Sequence, residues 1–188
     1  MKTDLLEAAL SALRNGGTLL YPTDTIWGIG CDATIYDAVD RLYTVKQRPH
    51  DKAMLILADE QMLPHNLPSE IRGLLIESHR PTTVILPVGL LALPIARNLP
   101  AADGTIGVRI PRFDFCQKLL KSLGHPIVST SANLSGMPSP QSYGEIDPVI
   151  RQQVDYALPD DPSFHHPQIS PSRIVRVTGG GDLTVIRD

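Results

Sequence analysis

A layered α/β domain built on a mixed sheet is the fold that the sequence predicts. Three observations predict it. Short apolar runs of strand length alternate with helical 3–4 periodicities along most of the chain. Two closing segments, Arg173–Val177 and Leu183–Ile186 around Gly179–Gly181, read as a hairpin, so not every strand is parallel. At 188 residues, 42% hydrophobic and 20% charged, the chain has the size and composition of a single globular domain spanning 1–188.

The elements follow in order. Leu5, Leu6, Ala9, Leu10 and Leu13 form a helical stripe, with Thr3 as a candidate cap and Gly16-Gly17 as the stop. Thr18–Tyr21 reads as a buried strand and Pro22–Ala33 as a loop rich in Thr, Asp and Gly. A helix is expected over about Tyr36–Val45, with Thr34 and Asp37 as a capping box. Ala53–Ala58 is a strand and Ser69–Ser78 a capped helix. Thr82–Leu86 and Thr105–Ile110 are strands, Phe113–Leu123 is a helix closed by Gly124, and Pro126–Thr130 is a strand entering a polar loop. Past Pro138 the periodic signal fades until the closing hairpin. Proline is over-represented, 17 of 188 or about 9% against a usual ~5%, but scattered, so it punctuates elements.

Composition excludes several classes. No apolar run reaches the ~18 residues of a membrane span, and Asp4 and Glu7 interrupt any N-terminal signal pattern. Cys31 and Cys116 make no CxxC, which fits a reducing compartment. The histidines are isolated apart from His165-His166, so no metal-ligand spacing is written. A net charge of −3 argues against a molecule-wide nucleic-acid clamp. Cations are nevertheless gathered locally: Arg41, Lys46, Arg48 and Lys52 around the single acid Asp51, and Arg109, Arg112, Lys118 and Lys121 further on.

Gly28-Ile-Gly-Cys-Asp-Ala33 matches GxGxxA, but Pro22–Asp24 separates it from the strand end that a dinucleotide fingerprint needs, so it reads as a turn-forming glycine pair. Neither GxxxxGK[ST] nor GxSxG is present. Lys46-Gln-Arg-Pro-His-Asp-Lys52 crowds cations into one loop, either as a solvated surface or as a polyphosphate clamp, with Arg supplying a fork and Lys a point charge. Ser129-Thr-Ser-Ala-Asn-Leu-Ser-Gly136 follows a strand, where turn chemistry and ligand binding are both open readings.

These two segments, with Tyr21–Ala33 and Thr105–Pro111, resemble the YrdC-type family of threonylcarbamoyl-AMP synthases, over nearly the whole chain and in its short bacterial form. The family signature, KxR followed later by SxN, falls on Lys46, Arg48, Ser131 and Asn133, which the resemblance makes the catalytic set. It implies a twisted α/β sheet around a large concave basic cavity. It also implies formation of threonylcarbamoyl-AMP and pyrophosphate from L-threonine, bicarbonate or CO2, and ATP, with Mg2+ accompanying the nucleotide. By position, Arg48, Lys52, Thr105, Ser131, Ser139 and Arg187 match ATP contacts. Thr25, Arg109, Ser129 and Ser172 match the threonine pocket, Arg109 suiting the carboxylate and Asn133 the phosphates or their metal. The expected setting is cytoplasmic, away from membranes, with transient contact to tRNA and to the proteins that carry the threonylcarbamoyl group onward.

The chain departs from the family pattern at His79-Arg80, where a glycine is usual, at Ala53-Met54 and Leu57, and at Arg173 after Ser172. The rival from another class is a non-catalytic module for double-stranded RNA or tRNA. A third reading, a carbamoyl-transfer domain of hydrogenase maturation, normally carries acylphosphatase and zinc-finger regions for which this chain has no room.

Overall fold

The structure is a computed structural model describing residues 3–50, 52–164, 170–178 and 182–188. Asp51, the pair His165-His166 and the expected turn at Gly179–Gly181 lie outside the described residues. In chain order the elements are α1 (Thr3–Arg14), β1 (Leu19–Tyr21), β2 (Gly28–Asp32), α2 (Tyr36–Val45), β3 (Leu55–Leu57), α3 (Ser69–Ile76), β4 (Thr82–Pro87), β5 (Thr105–Arg109), α4 (Asp114–Leu123), β6 (Ile127–Ser131), α5 (Pro148–Gln153), β7 (Tyr156–Ala157), β8 (Arg173–Val177) and β9 (Leu183–Arg187).

Among the described residues the strands form one mixed sheet in the order β7-β1-β2-β6-β3-β5-β4-β8-β9. β1/β7, β3/β5 and β4/β8 are parallel and the other neighbours antiparallel, β8/β9 included. The expected mixed sheet and closing strand pair are therefore present. One face is apolar: Ile29 and Cys31, Val128, Ile56, Val108, Val84 and Leu86, and Val175 are buried there at alternate positions. The amphipathic helices turn their buried stripes inward, α1 through Ala9, Leu10 and Leu13, and α4 through Phe115, Cys116, Leu119 and Leu120.

Three local expectations are overturned. Pro22–Ala33 is not all loop, because Gly28–Asp32 is a strand between β1 and β6. Its glycines are there for closeness and not for turning: a Cβ on Gly30 would lie 2.1 Å from the Val128 carbonyl oxygen and 3.2 Å from the Tyr21 ring. Nor is there a Thr34/Asp37 capping box. Ile35 stands at the N-cap without a side-chain bond, while the Thr34 amide and hydroxyl donate to Asp32 Oδ1 at 2.9 and 2.7 Å. Likewise Pro68 stands at the N-cap of α3 with no side-chain bond. α4 ends as expected, on Gly124 with φ of 86°.

Candidate active site

The second face of the sheet carries the polar residues, and strand alternation explains why. Gly28 on β2, Ser129 and Ser131 on β6, Leu55 on β3, Thr105, Gly107 and Arg109 on β5, Thr83 and Ile85 on β4, Ile174 and Arg176 on β8 and Arg187 on β9 share that face. They line a cavity of about 300 Å³. A floor this low needs small residues. A Cβ on Gly107 would meet Leu55 and Thr83 side-chain carbons at 3.2 Å.

Nine of the twelve residues expected at the site line this cavity: Thr25, Arg48, Thr105, Arg109, Ser129, Ser131, Ser139, Ser172 and Arg187. Arg109 is 4% exposed at the end of β5. Its Nη1 donates to Thr25 Oγ1 at 2.7 Å and its Nη2 to Asp24 Oδ1 at 3.1 Å, while its buried Nε has no partner among the described residues. Beside it the Tyr21 hydroxyl donates to Ser129 Oγ at 2.8 Å, and burial pushes that phenol well up, so the proton stays. Thr23 and Thr25 share a 2.9 Å hydroxyl bond, as do Thr83 and Ser172 at 2.8 Å. This end of the cavity is a cluster of buried hydroxyls around the Arg109 guanidinium, with Arg187 held on the Ser172 carbonyl.

At the other end Arg48 donates from Nε to the Lys52 carbonyl and from Nη2 to the Ala53 carbonyl, both at 2.7 Å. Thr105 Oγ1 donates to Asp103 at 2.6 Å. Arg187 binds the Ser172 carbonyl through Nε and Nη2 at 3.0 and 2.7 Å, and burial together with the charge of Arg109 lowers its pKa.

Lys46, Lys52 and Asn133 do not line the cavity. Lys52 is exposed. Lys46 is 1% exposed and runs from the C-cap of α2 beneath the loop that follows β6. Its Nζ donates to the carbonyls of Ser131 at 2.6 Å and Asn133 at 2.8 Å, and lies 3.4 Å from both Ser131 Oγ and Asn133 Oδ1. The two halves of the KxR…SxN pattern are thus in direct contact. Burial, with the charge of Arg48 adding, pulls Lys46 down to about 7. The Asn133 amide in turn donates to the Leu134 carbonyl at 3.0 Å and the Met137 carbonyl at 2.5 Å, holding the loop closed. α2 ends in a Schellman turn: the Gln47 amide donates to Thr44 and the Arg48 amide to Tyr43, with Gln47 at φ of 49°.

Neither basic cluster read from the sequence survives as a cluster. Arg41 pairs with Asp155 at 2.7 Å and Lys46 is buried. Arg112 donates to the Ile76 and Ser78 carbonyls, and Lys118 pairs with Asp114 at 2.8 Å. In the cavity, Arg109 pairs with Asp24 and Arg176 with Asp103. The departures at Arg80 and Arg173 converge: both pair with Asp188, next to Arg187. Sequence reasoning missed Tyr21, Thr83 and Arg176 at the site. Thr83 and Arg176 carried a signal, each a polar side chain inside a largely apolar strand.

A family model for Sua5, YciO and YrdC proteins, described as telomere recombination, matches residues 11–188. The chain belongs to this family. A threonylcarbamoyl-AMP synthase of Xanthomonas campestris pv. campestris is 36% identical over 160 residues, covering 81% of this chain and 84% of that protein. Among solved structures, P. abyssi Sua5 complexed with L-threonine superposes with a TM-score of 0.80 at 25% identity over 97% of this chain, which spans about half (53%) of that protein's chain. E. coli YciO gives a TM-score of 0.79 at 25% identity over 100% of this chain and 90% of its own. The resemblance read from the four sequence segments and the sheet-based fold it implied are both borne out.

Proposed function

We propose that this chain is an L-threonylcarbamoyladenylate synthase, a nucleotidyltransferase acting in the cytosol to supply threonylcarbamoyl-AMP for tRNA modification next to the anticodon. One observation carries the reading. Residues from seven strands and the loops beside them form a cavity with the buried Arg109 at one end and Arg48 and Ser131 at the other, Ser131 being held from behind by Lys46. The name of the X. campestris relative and the threonine bound in P. abyssi Sua5 support it.

In this reading Arg109 Nε and Ser129, Ser172 and Thr25 take the amino acid. The buried guanidinium charge attracts the carboxylate and the hydroxyls answer the threonine side chain. Arg48, Ser131 and Ser139 face the triphosphate, with Lys52 at its mouth and Thr105 and Arg187 beyond. The threonine amine meets CO2 to give a carbamate. A carbamate oxygen attacks the α-phosphorus, the bond to the β-phosphate breaks, and pyrophosphate leaves. No enzyme nucleophile is needed, so catalysis is positioning and charge neutralisation. Lys46 serves by holding Ser131 and Asn133 in place, not as a phosphate ligand.

Among the described residues no group of three or more His, Cys, Asp or Glu is placed to hold a metal ion, and no carboxylate lines the cavity. These residues do not fit a resident Mg2+. The ion belongs with the nucleotide's own phosphates and water, as Mg2+ commonly does. No helix of the described residues is long and apolar enough to cross a membrane. Against the RNA-module reading, Arg41 and Lys118 are taken up in ion pairs and Lys46 is buried.

The test is pyrophosphate release from ATP with threonine, serine or valine. Threonine-dependent release supports the reading. Serine should lose about ten-fold or more for one methyl, and valine far more, because the buried hydroxyls would be left unpaired. Release independent of amino acid, or equal with valine, refutes it.

A further inference from the structure

We infer that Arg176, steadied by Asp103, is a nucleotide-binding residue that grips the nucleoside end of ATP. The inference rests on the synthase reading above and adds a residue that the family resemblance did not supply. Arg176 lies on β8, two residues from Ile174 and on the same face, and lines the cavity. Asp103 Oδ2 accepts from its Nη1 at 2.9 Å, while Asp103 Oδ1 accepts from the Thr105 hydroxyl at 2.6 Å and the Thr105 amide at 3.1 Å. One carboxylate therefore aligns a residue matched to ATP and an arginine matched to nothing. Those bonds hold the Asp103 carboxyl down to about 2, so it stays charged at any working pH.

Sheet register orients the ligand. Ser129 and Gly107 both lie opposite Leu55, so one step along the same face Ser131 and Thr105 share a level of the sheet. Arg176 lies opposite Ile85, which lies opposite Gly107, so its side chain extends toward that level from the far edge. From β6 to β8 is four strand spacings, roughly 19 Å at ~4.8 Å each. An extended ATP laid across the strands, with its phosphates at Arg48 and Ser131, brings its ribose and base to Thr105 and Arg176. A planar guanidinium held flat by a carboxylate is suited to stack on a base, which an ammonium is not.

The experiment compares ATP and inorganic tripolyphosphate as ligands, by calorimetry, on the wild-type chain, Arg176→Met and Arg48→Ala. Arg176→Met should weaken ATP roughly ten-fold and leave tripolyphosphate and the melting temperature nearly unchanged, whereas Arg48→Ala should weaken both ligands. Arg176→Lys should fail to restore ATP affinity. Unchanged ATP affinity in Arg176→Met overturns the inference. So does equal loss of ATP and tripolyphosphate, or restoration by lysine. A wild-type chain that binds no ATP overturns the synthase reading, and this inference with it.

Discussion

Replacing Lys46 by Met tests the buried strut beneath the site. The substitution keeps length and apolar stem and removes the ammonium. It takes the Lys46 donor from the Asn133 carbonyl at 2.8 Å and from the Ser131 carbonyl at 2.6 Å, the latter keeping the Asn133 amide at 2.9 Å. The two lost bonds cost together about 2–6 kcal/mol. Against this, burial and the charge of Arg48 lower Lys46 from 10.5 to about 7, which disfavours the charged form by roughly 5 kcal/mol at ~1.4 per unit. The folded pKa lies below the unfolded one, so between about pH 7 and 10.5 the unfolded chain binds more protons and wild-type stability rises with pH through this group. Below about pH 7 the penalty is present in full and nearly offsets the lost bonds, so wild type and Lys46→Met should be close. Urea unfolding of both at about pH 6.5, 8 and 9.5 reads the difference, in which every other titrating group cancels. The wild-type advantage should widen by several kcal/mol across that series. A constant difference would mean that Lys46 stays charged and hydrated, and would return it to the polyphosphate.

Arg48→Ala should weaken ATP by ten- to a hundred-fold, one charged hydrogen bond being worth ~1.5–3 kcal/mol, with calorimetry as the check. Arg109→Lys should lower threonine affinity about ten-fold or more while ATP binding without threonine changes much less; equal loss of both would leave only the structural pair with Asp24. Gln47→Gly should raise stability by about 1 kcal/mol, because φ of 49° strains any residue with a Cβ, and an unchanged denaturation midpoint would contradict that strain. Gly30→Ala should abolish or severely destabilise folding, its Cβ being placed 2.1 Å from a backbone oxygen, so a wild-type melting curve would refute the strand pairing there.

Helices α1, α2 and α4 and strands β4, β5, β6 and β8 were legible because each is an amphipathic stripe or an apolar run, and burial alone dictates such patterns. β2 was not. Its two glycines look like a turn, and their reason is the approach of Val128 from a strand about a hundred residues away. α5 was missed although Asp147 and Pro148 spell an N-cap and first-turn proline, with Asp147 accepting from the Val149 amide. At the site, the family resemblance picked out nine cavity residues. It could not distinguish a cation facing solvent from one driven under a loop, because that depends on carbonyls 85 and 87 residues further on. A structural salt bridge to a nearby acid is the bland alternative to carboxylate binding at Arg109. The structure has such a pair, with Asp24, and leaves Nε without a partner among the described residues.

The most direct test of the account is the fate of carbonate carbon. The chain is incubated with L-threonine, ATP and 13C-bicarbonate, and the products are read by mass spectrometry. The account predicts an adenylate carrying both threonine and one 13C, formed in step with pyrophosphate and absent when any one substrate is left out. Pyrophosphate without labelled adenylate, or an adenylate of threonine lacking the label, would contradict it.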